Sequence, residues 1–127
     1  MREEMSEIGF MKRALALASR SCGHTRPNPP VGAVVVRNGK IVGEGRHVRC
    51  GADHAEAAAL KSAARRGGAE GSTVFVTLEP CSRPGRVGAC TDAIVACGIP
   101  RVVYAVPDPN PKNRGRAKRV LEAAGVK

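Results

Sequence analysis

Apolar runs follow a fixed order in this chain, a strand pair first and then helices alternating with strands, and that order leaves few architectures open. Val31 to Val36 and Ile41-Val42 flank Asn38-Gly39, a dipeptide suited to the positive φ angles of a two-residue hairpin, which predicts an antiparallel pair. From His54 to about Arg66 the stretch HAEAAALKSAARR is helical by propensity, and Gly67-Gly68 ends it. Thr73 to Leu78 reads as a strand, residues 90 to 97 as a helix, and Val102 to Val106 as a buried strand. Arg114 to Ala124 reads as a basic helix closed by Gly125. Upstream, residues 6 to 20 carry Ile8, Met11, Leu15 and Ala18 at helical spacing behind a Ser6 cap, a face expected to pack on a sheet. The segment TRPNPP then breaks the helix and forms a shaped loop. A hairpin followed by alternating helices and strands predicts a layered α/β domain with crossovers between neighbouring strands.

The 127 residues suit one domain, residues 1–127. Aromatic residues make up only 2% of the chain, so the core must be built from Ala, Val, Ile and Leu. No stretch reaches the roughly 20 apolar residues of a membrane span, and the uncharged run from Ala14 to Ser19 is too short for a signal peptide, which predicts a cytoplasmic protein with no membrane partner. Five cysteines at irregular spacing fit a reducing compartment in which some thiols bind metal, rather than a disulfide framework. The net charge of +10 favours anionic partners, a phosphorylated metabolite or a nucleic acid, although a cationic surface also serves solubility.

Three features stand in order along this frame: His-Ala-Glu at 54 to 56, Pro80-Cys81, and Cys90. One imidazole and two thiolates suit a borderline-soft ion such as zinc, and three protein ligands leave a fourth tetrahedral position for water. His54 and Glu56 would point to different sides in mid-helix. At a helix's first turn, side chains lean toward the N-terminus, so both can reach a metal lying over the helix end. Cys90 opens the next helix, whose N-terminal partial positive charge favours the ionised sulfur. Two thiolates cancel the charge of the ion and weaken its effect on water, so a nearby base is needed. Glu56 is placed to take the water proton and pass it to a departing amino group. Taken singly, each motif has a plain structural reading, a helix cap or a core residue. Their joint order, each ligand opening a helix after a strand, points to a metal site.

At these residues the chain resembles the cytidine deaminase superfamily. The eight residues between Cys81 and Cys90 narrow the likeness to the deaminase domain of the bacterial riboflavin-biosynthesis enzyme, because cytidine and tRNA adenosine deaminases place two residues there. RPNPPVGAVVV, GKIVGEGRH, HAEAAAL, VTLEPCS, CTDAI, RVVYA and DPNP follow that family's order over nearly the whole chain. The resemblance implies a three-layer α/β/α sandwich around a central mixed sheet, with Zn2+ as cofactor. It implies replacement of the ring 2-amino group of diamino-ribosylaminopyrimidinone 5'-phosphate by an oxo group, with release of ammonia. His54, Cys81 and Cys90 match the zinc ligands and Glu56 the proton shuttle. Asn28, His47, Arg86 and Asp108 match substrate-pocket positions: Asn28 for the ring edge, His47 and Asp108 for ring or ribose, Arg86 for the phosphate. Asn110 belongs to the same rim or sets a turn, and Glu79 supports the neighbouring ligand Cys81 or is solvated. Cys22, His24, Cys50 and Cys97 read as structural or incidental.

The chain departs from the family at Arg83, where a histidine is usual, and at Val87-Gly88-Ala89, where Thr-Pro-Pro is usual, which bears on the choice of substrate. The family's reductase half and the strand beyond Lys127 are not in this sequence, so the expectation is no nicotinamide cofactor and a separate reductase. Assembly as a dimer or tetramer is common among relatives. Alternative readings are a deaminase of another pyrimidine or purine base or nucleotide, and a tRNA or nucleic-acid base deaminase. Lys112, Arg114, Arg116, Lys118 and Arg119 favour the latter, whereas the lack of aromatic stacking surfaces argues against it. A non-catalytic zinc module would need a fourth ligand, for which Cys50 or Cys97 are candidates.

Overall fold

In the computed structural model the described residues are 7–20, 30–46, 54–80, 90–106 and 115–126. Their order is α1 (Glu7–Ser19), β1 (Gly32–Arg37), β2 (Lys40–Arg46), α2 (Ala55–Ala64), β3 (Thr73–Leu78), α3 (Cys90–Ala96), β4 (Arg101–Val106) and α4 (Arg116–Ala123). Every expected helix and strand is present within a residue or two of its sequence-derived bounds except β2, which runs on to Arg46 where only Ile41-Val42 was expected. Asn38 and Gly39 take φ of 54° and 75° between β1 and β2, the hairpin turn that Asn-Gly was expected to make.

The strands form one sheet in the order β2-β1-β3-β4. β1 is antiparallel to both β2 and β3, and β3 is parallel to β4, so the sheet is mixed as expected. Two findings correct the sequence reading. The chain passes through α2 from β2 to β3 across β1, so this crossover does not join neighbours. β4 is the edge of the described sheet and half-exposed, because among the described strands only β3 pairs with it.

Alternation along the strands sorts the core into two layers. Ala33, Val35, Val74, Val76, Val102 and Tyr104 face one side, where residues of α2, α3 and α4 meet them. Val34, Val36, Phe75 and Val103 face the other, against α1. The result is the α/β/α sandwich, with α1 the one described helix on its face.

α1 buries Phe10, Ala14, Leu17 and Ala18, whereas Ile8 and Leu15 are 68% and 49% exposed, so the sequence reading placed its apolar face out of phase. Close packing sets the true phase. A Cβ at Gly32 of β1 would stand 2.0 Å from the Ala14 carbonyl oxygen, so the helix rests on backbone and needs small residues there. Phe10 then meets Phe75 with ring centroids 5.3 Å apart. The Ser6 cap and the TRPNPP loop lie outside the described residues. Among the described residues no helix is long and apolar enough to cross a membrane.

Candidate active site

Strand direction brings the described starts and ends of several elements to one end of the sheet. Gly32 pairs with Arg46, and the Gly32 N–H donates to Thr77 Oγ1 at 3.2 Å, so the start of β1 and the ends of β2 and β3 share one edge of the sheet. Val106, which ends β4, lies opposite Leu78 at the same edge. Helices α2 and α3 begin after β2 and β3 respectively and pack against each other.

Two glycines of β2 bring α2 close to the sheet. A Cβ at Gly45 would lie 2.4 Å from Ala59 N and 2.5 Å from the Ala55 carbonyl oxygen, and one at Gly43 would lie 2.4 Å from the Ala59 oxygen. Backbone therefore rests on backbone, and the first turn of α2 is held beside the end of β2. His54 is the N-cap of α2, with φ −68° and ψ 159°, and its carbonyl accepts from Ala58 N–H at 3.0 Å. Its half-buried ring makes no capping hydrogen bond, unlike the Ser, Thr, Asp or Asn usual at such a position. Glu56 follows in the first turn and is only 4% exposed. A carboxylate that deep needs a cation or donors, and the helix N-terminus supplies part of that field.

Cys90 opens α3 as the sequence predicted. Thr91 beside it is 1% exposed, and among the described residues its hydroxyl has no hydrogen-bond partner. Cys97 packs half-buried on the core at the far end of α3, about 10 Å along the axis from Cys90 at 1.5 Å per residue, which leaves it badly placed to be a fourth ligand. Of the remaining site candidates, Asn28, His47, Cys81, Arg86, Asp108 and Asn110 lie outside the described residues, as do Cys22, His24 and Cys50. Among the described residues no cluster of three metal donors forms. What is present fits zinc in kind: an imidazole not used as a cap, a buried carboxylate at the same helix end, a helix-opening cysteine, and an orphaned hydroxyl next to it.

Glu79 is neither solvated nor a bare neighbour of Cys81. It is 3% exposed, and its carboxylate accepts from the backbone N–H of Gly115 at 3.0 Å and of Ala117 at 3.1 Å, at the start of α4. Sequence reasoning missed this role; the available signal was a lone acid closing an apolar strand. Burial pushes the Tyr104 phenol up, and the charges of Glu79 and Glu122 add to that.

Helix starts at one edge of a mixed sheet, bearing an imidazole, a carboxylate and a cysteine, are the arrangement of a zinc-binding hydrolase domain. Comparison with known proteins narrows the class. Residues 5–106 match the model of the cytidine and deoxycytidylate deaminase zinc-binding region. The chain belongs to that deaminase family, whose cofactor is zinc. Riboflavin biosynthesis protein RibD of Escherichia coli is 49% identical over 96% of this chain, and that of Aquifex aeolicus 52% identical over 92%. The chain spans about a third of the length of these relatives, 33% and 32%. A Thermotoga maritima structure, described as a diaminohydroxyphosphoribosylaminopyrimidine deaminase/5-amino-6-(5-phosphoribosylamino)uracil reductase, is 45% identical. It superimposes with a TM-score of 0.88 over 93% of this chain and 34% of its own. The dCMP deaminase of cyanophage S-TIM5, 28% identical, gives a TM-score of 0.75 over all of this chain and 97% of its own.

Proposed function

We propose that this chain hydrolyses the ring 2-amino group of diaminohydroxyphosphoribosylaminopyrimidine, giving aminophosphoribosylaminouracil and ammonia, in riboflavin biosynthesis. The observation that carries this reading is the 49% identity to the E. coli riboflavin protein over 96% of the chain. His54, Cys81 and Cys90 would hold the zinc ion. When bound, zinc supplies a Lewis acid that makes water a competent nucleophile near neutral pH.

The remaining work falls to the chain's own groups. Glu56 accepts a proton from the attacking water and delivers it to the leaving nitrogen, so water's oxygen enters the ring carbon and ammonia departs. Its burial keeps that proton from bulk solvent. Asn28 and His47 read the ring and ribose, Asp108 and Asn110 complete the rim, and Arg86 pairs with the phosphate. These residues belong to the segments that precede β1 and follow β2, β3 and β4. The same reading makes the chain a cytoplasmic homo-oligomer, dimer or tetramer, that acts on a small phosphorylated pyrimidine and passes its product to a reductase. In the Thermotoga relative both activities share one name.

A second reading is a deaminase of free nucleotides, favoured by the match to 97% of the length of the phage dCMP deaminase. Ammonia release measured on the diaminopyrimidine phosphate, dCMP, cytidine, guanine and RNA separates the two. Turnover of the first compound alone supports the riboflavin reading. Preference for dCMP overturns it in favour of the second.

A further inference from the structure

Glu79 follows the last residue of β3 and precedes Pro80-Cys81. Its backbone N–H donates to the Val106 carbonyl at 2.9 Å, at the end of β4. Its side chain reaches the start of α4, where Oε1 accepts from Gly115 N–H at 3.0 Å and Oε2 from Ala117 N–H at 3.1 Å. One residue thus holds both ends, Val106 and Gly115, of the connection 107–114.

The way α4 begins makes this hold necessary. First-turn amides have no partner inside a helix and are ordinarily capped by the N-cap's own side chain. Here the N-cap is Gly115, at φ 78°, which has no side chain to offer. The cap comes instead from 36 residues earlier in sequence, as a buried carboxylate whose charge complements the helix end.

We propose that Glu79 is a positioning residue for the deamination, a clasp that fixes the spacing between the end of β4 and the start of α4 beside the segment that carries Cys81. The proposal rests on the functional reading above, in which Asp108 and Asn110 of the clasped connection contact substrate. Glutamine has the same shape but would turn an NH2 group toward a backbone N–H, so Glu79→Gln removes at least one arm of the clasp with little change in volume.

The test uses the zinc-loaded protein and its Glu79→Gln variant. Expected are a KM for the diaminopyrimidine phosphate raised about tenfold with kcat little changed, unchanged zinc content, and tryptic cleavage after Lys112 and Arg114 faster by about tenfold. Unchanged KM and unchanged cleavage overturn the clasp, as does loss of zinc with KM unaltered. Should the variant fail to fold, amide exchange in the unsubstituted protein decides, because Gly115 and Ala117 lie where a helix gives no protection of its own. Slow exchange at both supports the clasp; exchange at the rate of an unstructured chain overturns it. If the unsubstituted protein does not turn over the pyrimidine, the functional reading fails while cleavage and exchange still judge the clasp.

Discussion

Glu56 carries the sharpest consequence of a single side chain. It is buried at the first turn of α2, two positions from His54. Glutamine keeps the volume and removes the ability to move a proton, so Glu56→Gln should lower turnover by about 10²–10⁴-fold while metal analysis still finds one zinc per chain. Turnover near that of the unsubstituted protein would remove Glu56 from the chemistry. The placement of this pair at a helix start was legible in the sequence because its signals are local: a polar residue before an alanine-rich run marks the start, and the triplet lies across it. Glu79 was not legible in that way. Its partners at Gly115 and Ala117 are 36 and 38 residues distant, and only the parallel register of β3 and β4 brings them within reach. The Thr91 hydroxyl, without a partner among the described residues, likewise has no sequence signal, since a threonine one residue into a helix is unremarkable until its burial is known.

Among elements, α1 shows why a correct helix can carry a misread face. Two sets of residues, Ile8-Met11-Leu15-Ala18 and Phe10-Ala14-Leu17-Ala18, satisfy the same periodicity, and the first has more aliphatic bulk. The sheet decides between them, because the absence of a side chain at Gly32 lets the backbone of Ala14 and Ala18 rest directly on β1. Leu17→Ala should therefore cost about 2–5 kcal/mol in urea unfolding, as buried leucines do. Leu15→Ala should stay within about 0.5 kcal/mol. Equal effects at both sites would mean that the helix packs in the other phase. β4 was misjudged for a related reason. RVVYAV has the composition of a buried strand, yet exposure depends on how many neighbours the topology supplies, which the segment itself does not encode.

The tie between α1 and β2 is electrostatic and titrates. Arg13 Nε donates to Glu44 Oε2 at 2.5 Å and Nη2 donates to Oε1 at 3.0 Å. Hydrogen bonding from Arg13 holds the Glu44 carboxyl below its ordinary range, helped by the charges of Arg13, Arg66 and Arg20, while burial opposes the shift. A carboxylate with a depressed folded pKa gives stability that is fully present above its unfolded pKa of about 4.3 and is lost as pH falls through the folded value. Both side chains are partly exposed, at 42% and 31%, so the pair contributes about 0.2–1 kcal/mol at low salt. Glu44→Gln should lower the unfolding free energy from urea titration at neutral pH by that amount and show no deficit once the pH is below the folded pKa of Glu44. A deficit that persists there would mean that shape, not charge, explains the loss.

Over the whole molecule, charge and topology act together. The sequence carries a net +10, and the candidate site lies where the strand ends and helix starts meet. Among the described residues Arg13 is neutralised by Glu44 and Arg101 by Glu7, while the excess of cations sets the long-range field. Such a field reaches a phosphate only within a Debye length, about 30 Å at 0.01 M salt and about 3 Å at 1 M. A phosphorylated pyrimidine should therefore lose kcat/KM several-fold as salt is raised across that range, through slower encounter and a weaker hold on its phosphate, the role proposed for Arg86. The same compound without its phosphate should change by less than about twofold, since little of its binding depends on charge. Initial rates at subsaturating substrate, taken for both compounds at each ionic strength, give the comparison directly. Parallel flat curves would assign the cationic surface to solubility, whereas divergence ties it to substrate capture.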